Sequence, residues 1–186
     1  AQMFFDERLP KKGDECLFKM LEPLGQSALA SALKPDAGIW EYRGRAHVHT
    51  HSAAMCWVAC DRLARIAARL GLAERGEHWR MVAAKLRTEI LERSWNDGLG
   101  AFAGHLDGED LDASVLLLHE LGIVSPSDER FVATVDQIGK KLGRNGHLLR
   151  YSAPDDFGEP AVAFTICTFW YVDALIAQKN LPAARA

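Results

Sequence analysis

Ala53-Ala54-Met55-Cys56-Trp57-Val58-Ala59-Cys60 is eight consecutive residues without a charge. A helix that is apolar on every side needs cover on every side, whereas one with a single apolar stripe lies outside such a helix. Two other stretches share this character. They are Val115-Leu116-Leu117-Leu118, and residues 161–177, broken by Thr165, Thr168 and Asp173. The spacing predicts helices over 14–33, 52–70, 74–94, 110–121, 127–142 and 161–178. The second, fourth and sixth read as inner helices; the amphipathic first, third and fifth read as outer ones. The connections alternate too: 34–50, 95–108 and 144–158 are long, 71–76 and 122–127 short. In an up-and-down array alternate connections share one end. The three long loops are therefore expected at one mouth, the place where a rigid scaffold usually carries function.

Composition bounds the answer from the other side. With 186 residues, 48% apolar and 25% charged, the chain reads as one soluble domain or part of one, 1–186. A net charge of −3 and a pI near 6.2 argue against nucleic acid as the partner. No run reaches the roughly 18 charge-free apolar residues of a membrane helix. Residues 157–172 come closest, and Glu159 and Asp173 bound them. Residues 1–10 carry no secretory pattern. Cys16, Cys56, Cys60 and Cys167 lie in apolar helical stretches and read as reduced, buried thiols, which suits a cytoplasmic protein.

Local signals punctuate the helices. Asp14 is placed to cap the first, and Pro23 to kink or split it. Ser52 opens the second and Gly71 ends it. Asn96-Asp97-Gly98 is a turn, followed by a short strand at Leu99-Gly100-Ala101-Phe102. Asp110 is expected to cap the fourth helix and Ser127 the fifth. Three outer–inner pairs do not close a ring. The open edge calls for the rest of a longer protein or for a second copy to cover it, with a capped solenoid as the rival architecture.

Two carboxylates stand out. Glu41, in Gly38-Ile39-Trp40-Glu41-Tyr42-Arg43-Gly44, sits in the first long loop between apolar side chains. Desolvation there disfavours the charged form, which suits a general acid. Trp40 and Tyr42 offer flat faces of the kind that stack on sugar rings. A solvated Glu41 paired with Arg43 or Arg45 is the plainer alternative. Glu159, in Asp155-Asp156-Phe157-Gly158-Glu159-Pro160, precedes the sixth predicted helix, whose N-terminus favours negative charge and so a general base. Asp155 and Asp156 compete for that role. Carboxyls about 6.5–9.5 Å apart invert a glycosidic centre, and about 5–5.5 Å retain it. His47, His49 and His51 alternate along one extended face but match no strong zinc spacing, so no metal is expected. His51 is expected to line the mouth. Trp95 and Phe102 are either ligand platforms or loop packing, and Glu109, Asp110 and Asp112 read as capping residues.

Pro35-Asp36-Ala37-Gly38-Ile39-Trp40-Glu41 resembles the acid-bearing motif of glycoside hydrolase family 15, the glucoamylases and bacterial-type trehalases. The resemblance continues in order. It includes Thr50-His51-Ser52 with Met55-Cys56-Trp57-Val58-Ala59-Cys60-Asp61-Arg62, and Leu111-Asp112-Ala113-Ser114-Val115-Leu116-Leu117-Leu118. It ends in Ala163-Phe164-Thr165-Ile166-Cys167-Thr168-Phe169-Trp170-Tyr171-Val172-Asp173-Ala174-Leu175. It implies an all-α (α/α)6 toroid, of which about three pairs are present here. It also implies inverting hydrolysis of an α-glucan or α-glucoside disaccharide without a cofactor, and Glu41 as the acid. Trp40, Arg43, His51 and Trp95 would shape the sugar pocket. The family's base stands two residues before the Ala-Phe pair of the last helix, which here is Ala161. Either the backbone delivers Glu159 instead, or the base is missing and the protein is a silent sugar binder or helical scaffold.

Overall fold

The structure is a computed structural model that describes residues 1–155 and 158–185. Asp156, one of the competing bases, lies outside the described residues, as do Phe157 and Ala186. Among the described residues the helices are α1 (Gln2–Phe5), α2 (Glu15–Ser31), α3 (Thr50–Arg69), α4 (Ala73–Ser94), α5 (Leu118–Leu121), α6 (Glu129–Leu142), α7 (Thr165–Ala177) and α8 (Leu181–Ala184). A 3₁₀ segment, Ala113–Leu117, runs directly into α5. Two short antiparallel hairpins complete the set: β1 (Trp95–Asn96) with β2 (Ala101–Phe102), and β3 (Gly143–Arg144) with β4 (His147–Leu148).

The architecture is half of an (α/α)6 barrel, built as three outer–inner pairs. Outer α2 packs on inner α3, and α4 also packs on α3. Outer α6 packs on α7 and on the 3₁₀ segment. The inner elements touch in turn, α3 against 3₁₀–α5 and the 3₁₀ segment against α7. The middle inner element is the most enclosed: Ala113, Val115, Leu116 and Leu118 are wholly buried. Arginines close its end, with Arg62 donating to the carbonyl of Leu121 and Arg87 to that of Ile123. The first satisfies a carbonyl that the end of α5 leaves without an intrahelical partner, and the second one in the turn that follows it.

Four expectations change on contact with the structure. The fourth helix is not α-helical from 110. Gly104 N–H donates to the Asp110 carbonyl and Asp112 bridges Tyr151, so residues 110–112 are held extended and coiling starts at Ala113. The cap is consequently Asp112, whose side chain accepts from Ser114 N, and α6 is capped by Asp128 rather than Ser127. Asp14 caps α2 as expected, and α2 runs through Pro23 without splitting. The sixth helix begins at Thr165, four residues later than the pattern suggests, because Phe164 N–H is drawn to the Leu148 carbonyl beside β4.

The fourth change concerns burial. α7 is apolar nearly all round, yet it buries only Cys167, Ala174 and Leu175. Phe169 is 63% exposed, with Phe164, Ile166 and Ile176 also open to solvent. The cysteines divide likewise: all four are free, Cys60 and Cys167 buried, Cys56 half-buried and Cys16 exposed, the last contrary to expectation. No helix among the described residues is long and apolar enough to cross a membrane.

Candidate functional site

The three long loops do meet. The first folds back on itself through an Asp36–His47 bridge and pairs with the second through His49–His105. Thr50 ties α3 to the same loop, its N–H donating to the Gly104 carbonyl and its hydroxyl to that of Ala103. The third loop joins through Asp112–Tyr151, with Ala113 N–H donating to the Arg150 carbonyl and Ser152 N–H to that of Leu111. Backbone groups that would otherwise lie idle in irregular chain are thus paired across loops.

Glu41 stands at the exposed tip of the first loop, in a tight turn where its N–H donates to the Gly38 carbonyl at 3.2 Å. Its φ is 54°, a left-handed conformation that costs a residue with a Cβ about 1–2 kcal/mol. Gly38 makes the turn possible. It also has positive φ, and a Cβ there would press within 2.9 Å of the His49 ring. The side chain is exposed, contrary to the desolvation read from its apolar neighbours, and its left-handed backbone is shared by Asp107, Asn145 and Lys179.

Trp40 is half-buried and crosses to the other loops. Its indole N–H donates to the Asp112 carboxylate at 2.8 Å, and its rings lie 6.0–6.1 Å from those of Tyr151, Phe164 and Trp170. Tyr42, read from sequence as a stacking face, is instead buried. It stacks on His49 at 5.5 Å, with the Arg45 guanidinium 4.2 Å over its ring centroid. Tyr42 therefore supports the loop and offers no open face to a sugar. Arg43 is exposed beside Glu41. His51 is the second residue of α3 and half-buried; burial lowers its pKa and keeps it neutral. Trp95 sits in β1, packs edge-on to Phe102 at 5.5 Å and donates to Asp97 at 2.7 Å. These contacts bind it into its own hairpin, the packing alternative of its reading.

Glu159 is exposed and six residues upstream of Thr165. It lies outside the first turn of α7, so the helix-dipole argument made for it does not apply, since that field fades within a turn. Asp155, its competitor, is engaged: the Tyr151 hydroxyl donates to it at 2.5 Å and Arg150 lies 3.8 Å away. Ala161 is exposed.

Pattern reading missed the centre of this network. Asp112 was assigned only a cap, yet its second oxygen holds Trp40. It is 5% exposed, and burial pushes its carboxyl up to about 6 against the pull of the Ser114 N–H, Trp40 and Arg45. Burial likewise raises the Tyr151 hydroxyl to about 12, aided by Asp155, and lowers the pKa values of His47 and His49. The signal available was an acid two residues beyond Asp110 inside an apolar run, where a solvated carboxylate is out of place. The histidines form a stack, with His47 on His105 at 4.2 Å. Among the described residues no group of three or more His, Cys, Asp or Glu is placed to hold a metal ion.

Half of an (α/α) barrel with a strained glutamate and anchored tryptophan at its loop mouth defines the class, and comparison with known proteins agrees. The profile of Glycosyl hydrolases family 15 matches residues 29–185. The chain belongs to that family. A trehalase of Mycobacterium tuberculosis is 38% identical over 174 residues, 92% of this chain and 25% of its own length. One of Thermoplasma volcanium is 32% identical over 152 residues, 81% and 24% of the respective lengths. Among solved structures, a wild-type glycosidase superposes with a TM-score of 0.71 at 21% identity, over 84% of this chain and 41% of that one. A bacterial glucoamylase complexed with acarbose gives 0.62 at 16%, over 87% and 30%. The chain thus spans about a quarter of the length of the curated relatives it matches.

Proposed function

We propose that residues 1–186 are the C-terminal half of the catalytic barrel of an inverting hydrolase acting on an α-glucosidic bond, with a trehalose-like disaccharide as the preferred substrate class. Glu41 protonates the leaving oxygen, Glu159 activates the water, and Trp40, Arg43 and His51 shape the sugar pocket. The observation that carries the reading is Glu41 itself: a glutamate in a left-handed turn, beside a tryptophan anchored across the loop mouth. The trehalase relatives support the substrate class, and a structural neighbour described in complex with glucose is consistent with it. The exposed apolar side of α7 supports a larger assembly, in which the remaining helix pairs or a second copy cover that edge.

The test is Glu41→Gln in the protein carrying both halves of the barrel. Trehalose and maltose hydrolysis should be abolished with the folded state intact; a variant that keeps more than about a tenth of its rate rules Glu41 out as the acid. A second reading, a silent sugar binder, is favoured by Ala161 at the family's base position. Calorimetry showing sugar binding without hydrolysis selects it, and a gain of turnover in Ala161→Glu would explain the silence.

A further inference from the structure

We propose that Asp112 is a positioning residue that holds the Glu41 turn in place through Trp40. The inference rests on the role given to Glu41 above and adds the group that fixes where Glu41 stands. Trp40 and Asp112 are 72 residues apart in sequence and joined by a single 2.8 Å hydrogen bond. The other carboxylate oxygen accepts Ser114 N–H at 2.8 Å. A helix cap needs only one oxygen, and serine or asparagine supplies it as well. A buried carboxylate costs desolvation that a cap alone does not repay, and the charge-assisted bonds from Trp40 and from the backbone and side chain of Ser114 offset part of it.

The geometry transmits the grip. The indole is pinned at its polar end by Asp112 and wedged at its edges by Tyr151, Phe164 and Trp170. The peptide that follows it is planar, so the Trp40 backbone and the Glu41 Cα move together. Release of the indole frees the turn to relax its left-handed residue, and the carboxyl swings away. A displacement of about 1 Å at a reacting group can cost a hundredfold in rate.

The groups facing Asp112 are Tyr42 and Arg45 of the first loop, Ser114 of its own segment, Cys167 of α7, and Tyr151 with Arg150 behind it. Burial keeps the Tyr42 hydroxyl and the Cys167 thiol protonated. The carboxyl of Asp112, held near 6, is the group bonded to the indole whose charge changes; His47, His49 and His105 line the same small cavity, and burial lowers the first two below the usual imidazole range. Ionisation strengthens its hold on the indole.

Asp112→Asn, made in the protein carrying both barrel halves, leaves one acceptor oxygen for two donors. We expect kcat on trehalose to fall about thirtyfold with KM within about threefold, the size of one lost charge-assisted hydrogen bond. The acidic limb of the pH–rate profile should move. The Trp40 indole N–H resonance, assigned with Trp40→Phe, should shift and exchange faster. In the unsubstituted protein the same resonance should titrate with a midpoint near 6. Unchanged kcat in a folded Asp112→Asn overturns the proposal. If that variant does not fold, an indole resonance that stays flat from roughly pH 4.5 to 8 overturns it. Should Glu41→Gln keep full turnover, the role of Glu41 as acid falls separately, and the indole titration still decides whether Asp112 holds Trp40.

Discussion

The two sides of the loop mouth are built differently. On the acid side, Glu41 sits on a loop closed on itself at Asp36–His47, sewn to the second loop at His49–His105, and pinned by Trp40 to Asp112. Glu159, by contrast, lies in a segment tied upstream by the Asp155–Gly158 bridge and the Tyr151–Asp155 hydrogen bond and downstream by a Phe164–Leu148 hydrogen bond. The Glu41 loop is fixed by residues of this half barrel, whereas the Glu159 segment has fewer ties among the described residues. On the proposed reading, this half of the barrel would hold its acid by itself and leave its base to residues packed against the open face.

Substitutions sharpen the contrast, beginning with the largest expected effect. Glu41→Gln should remove at least about a hundredfold of hydrolytic rate with no change in melting temperature, because its side chain is exposed. Glu159→Gln should cost a comparable factor if the base is delivered from this segment, again with unchanged stability. A Glu159→Gln enzyme at full rate, beside an inactive Asp155→Asn, would move the base to the engaged carboxylate of the Tyr151–Asp155 pair. Trp40→Phe keeps a ring but leaves Asp112 short of a donor. A tenfold to hundredfold loss is expected, of the size of one unsatisfied buried group at about 1–3 kcal/mol.

A pH dependence follows with its own sign. Asp112 titrates near 6 in the fold against 3.8 for the free side chain, so the folded chain holds the proton more tightly. Stability from this group is therefore greatest at low pH and falls as pH rises from about 4 to 6, by up to about 3 kcal/mol. The difference in unfolding free energy between Asp112→Asn and the parent, measured by urea denaturation at pH 4.5 and 7.5, should drift in that direction. His47, His49 and His51 pull the other way, since burial lowers their pKa values and acid must charge them. Smallest of all, Phe169→Ser on the exposed side of α7 should change the stability of the isolated chain by less than about 0.5 kcal/mol while reducing its self-association in sedimentation.

Much of the frame was legible in the sequence because it depends on periodicity. Trp79, Leu86, Ile90 and Leu91 fall on the buried face of α4 as their spacing requires, and Asn96-Asp97-Gly98 turns the β1–β2 hairpin. The failures share one cause. Residues 110–112 and the approach to α7 read as helix by their local pattern, yet both are drawn into pairing with residues about 15 to 40 positions away, at Tyr151 and Leu148. No window along the chain contains such a partner. The same blindness hid Asp112, whose second role depends on Trp40 far upstream, and overrated Tyr42, whose open face is taken by His49 and Arg45.

Alternation along the 47–50 segment has a consequence for how relatives of this protein can vary. His47 pairs its backbone with Asp36 of its own loop, whereas Val48 and Thr50 pair theirs with Leu106 and Gly104 of the second loop on the other side. Inserting or deleting a single residue there would swap those sides and turn the His49 imidazole out of its place beneath Gly38. Length polymorphism among natural variants should accordingly gather at the solvent-facing 97–100 turn, whose tip holds no cross-loop tie, and spare the acid-bearing loop even where its side chains diverge.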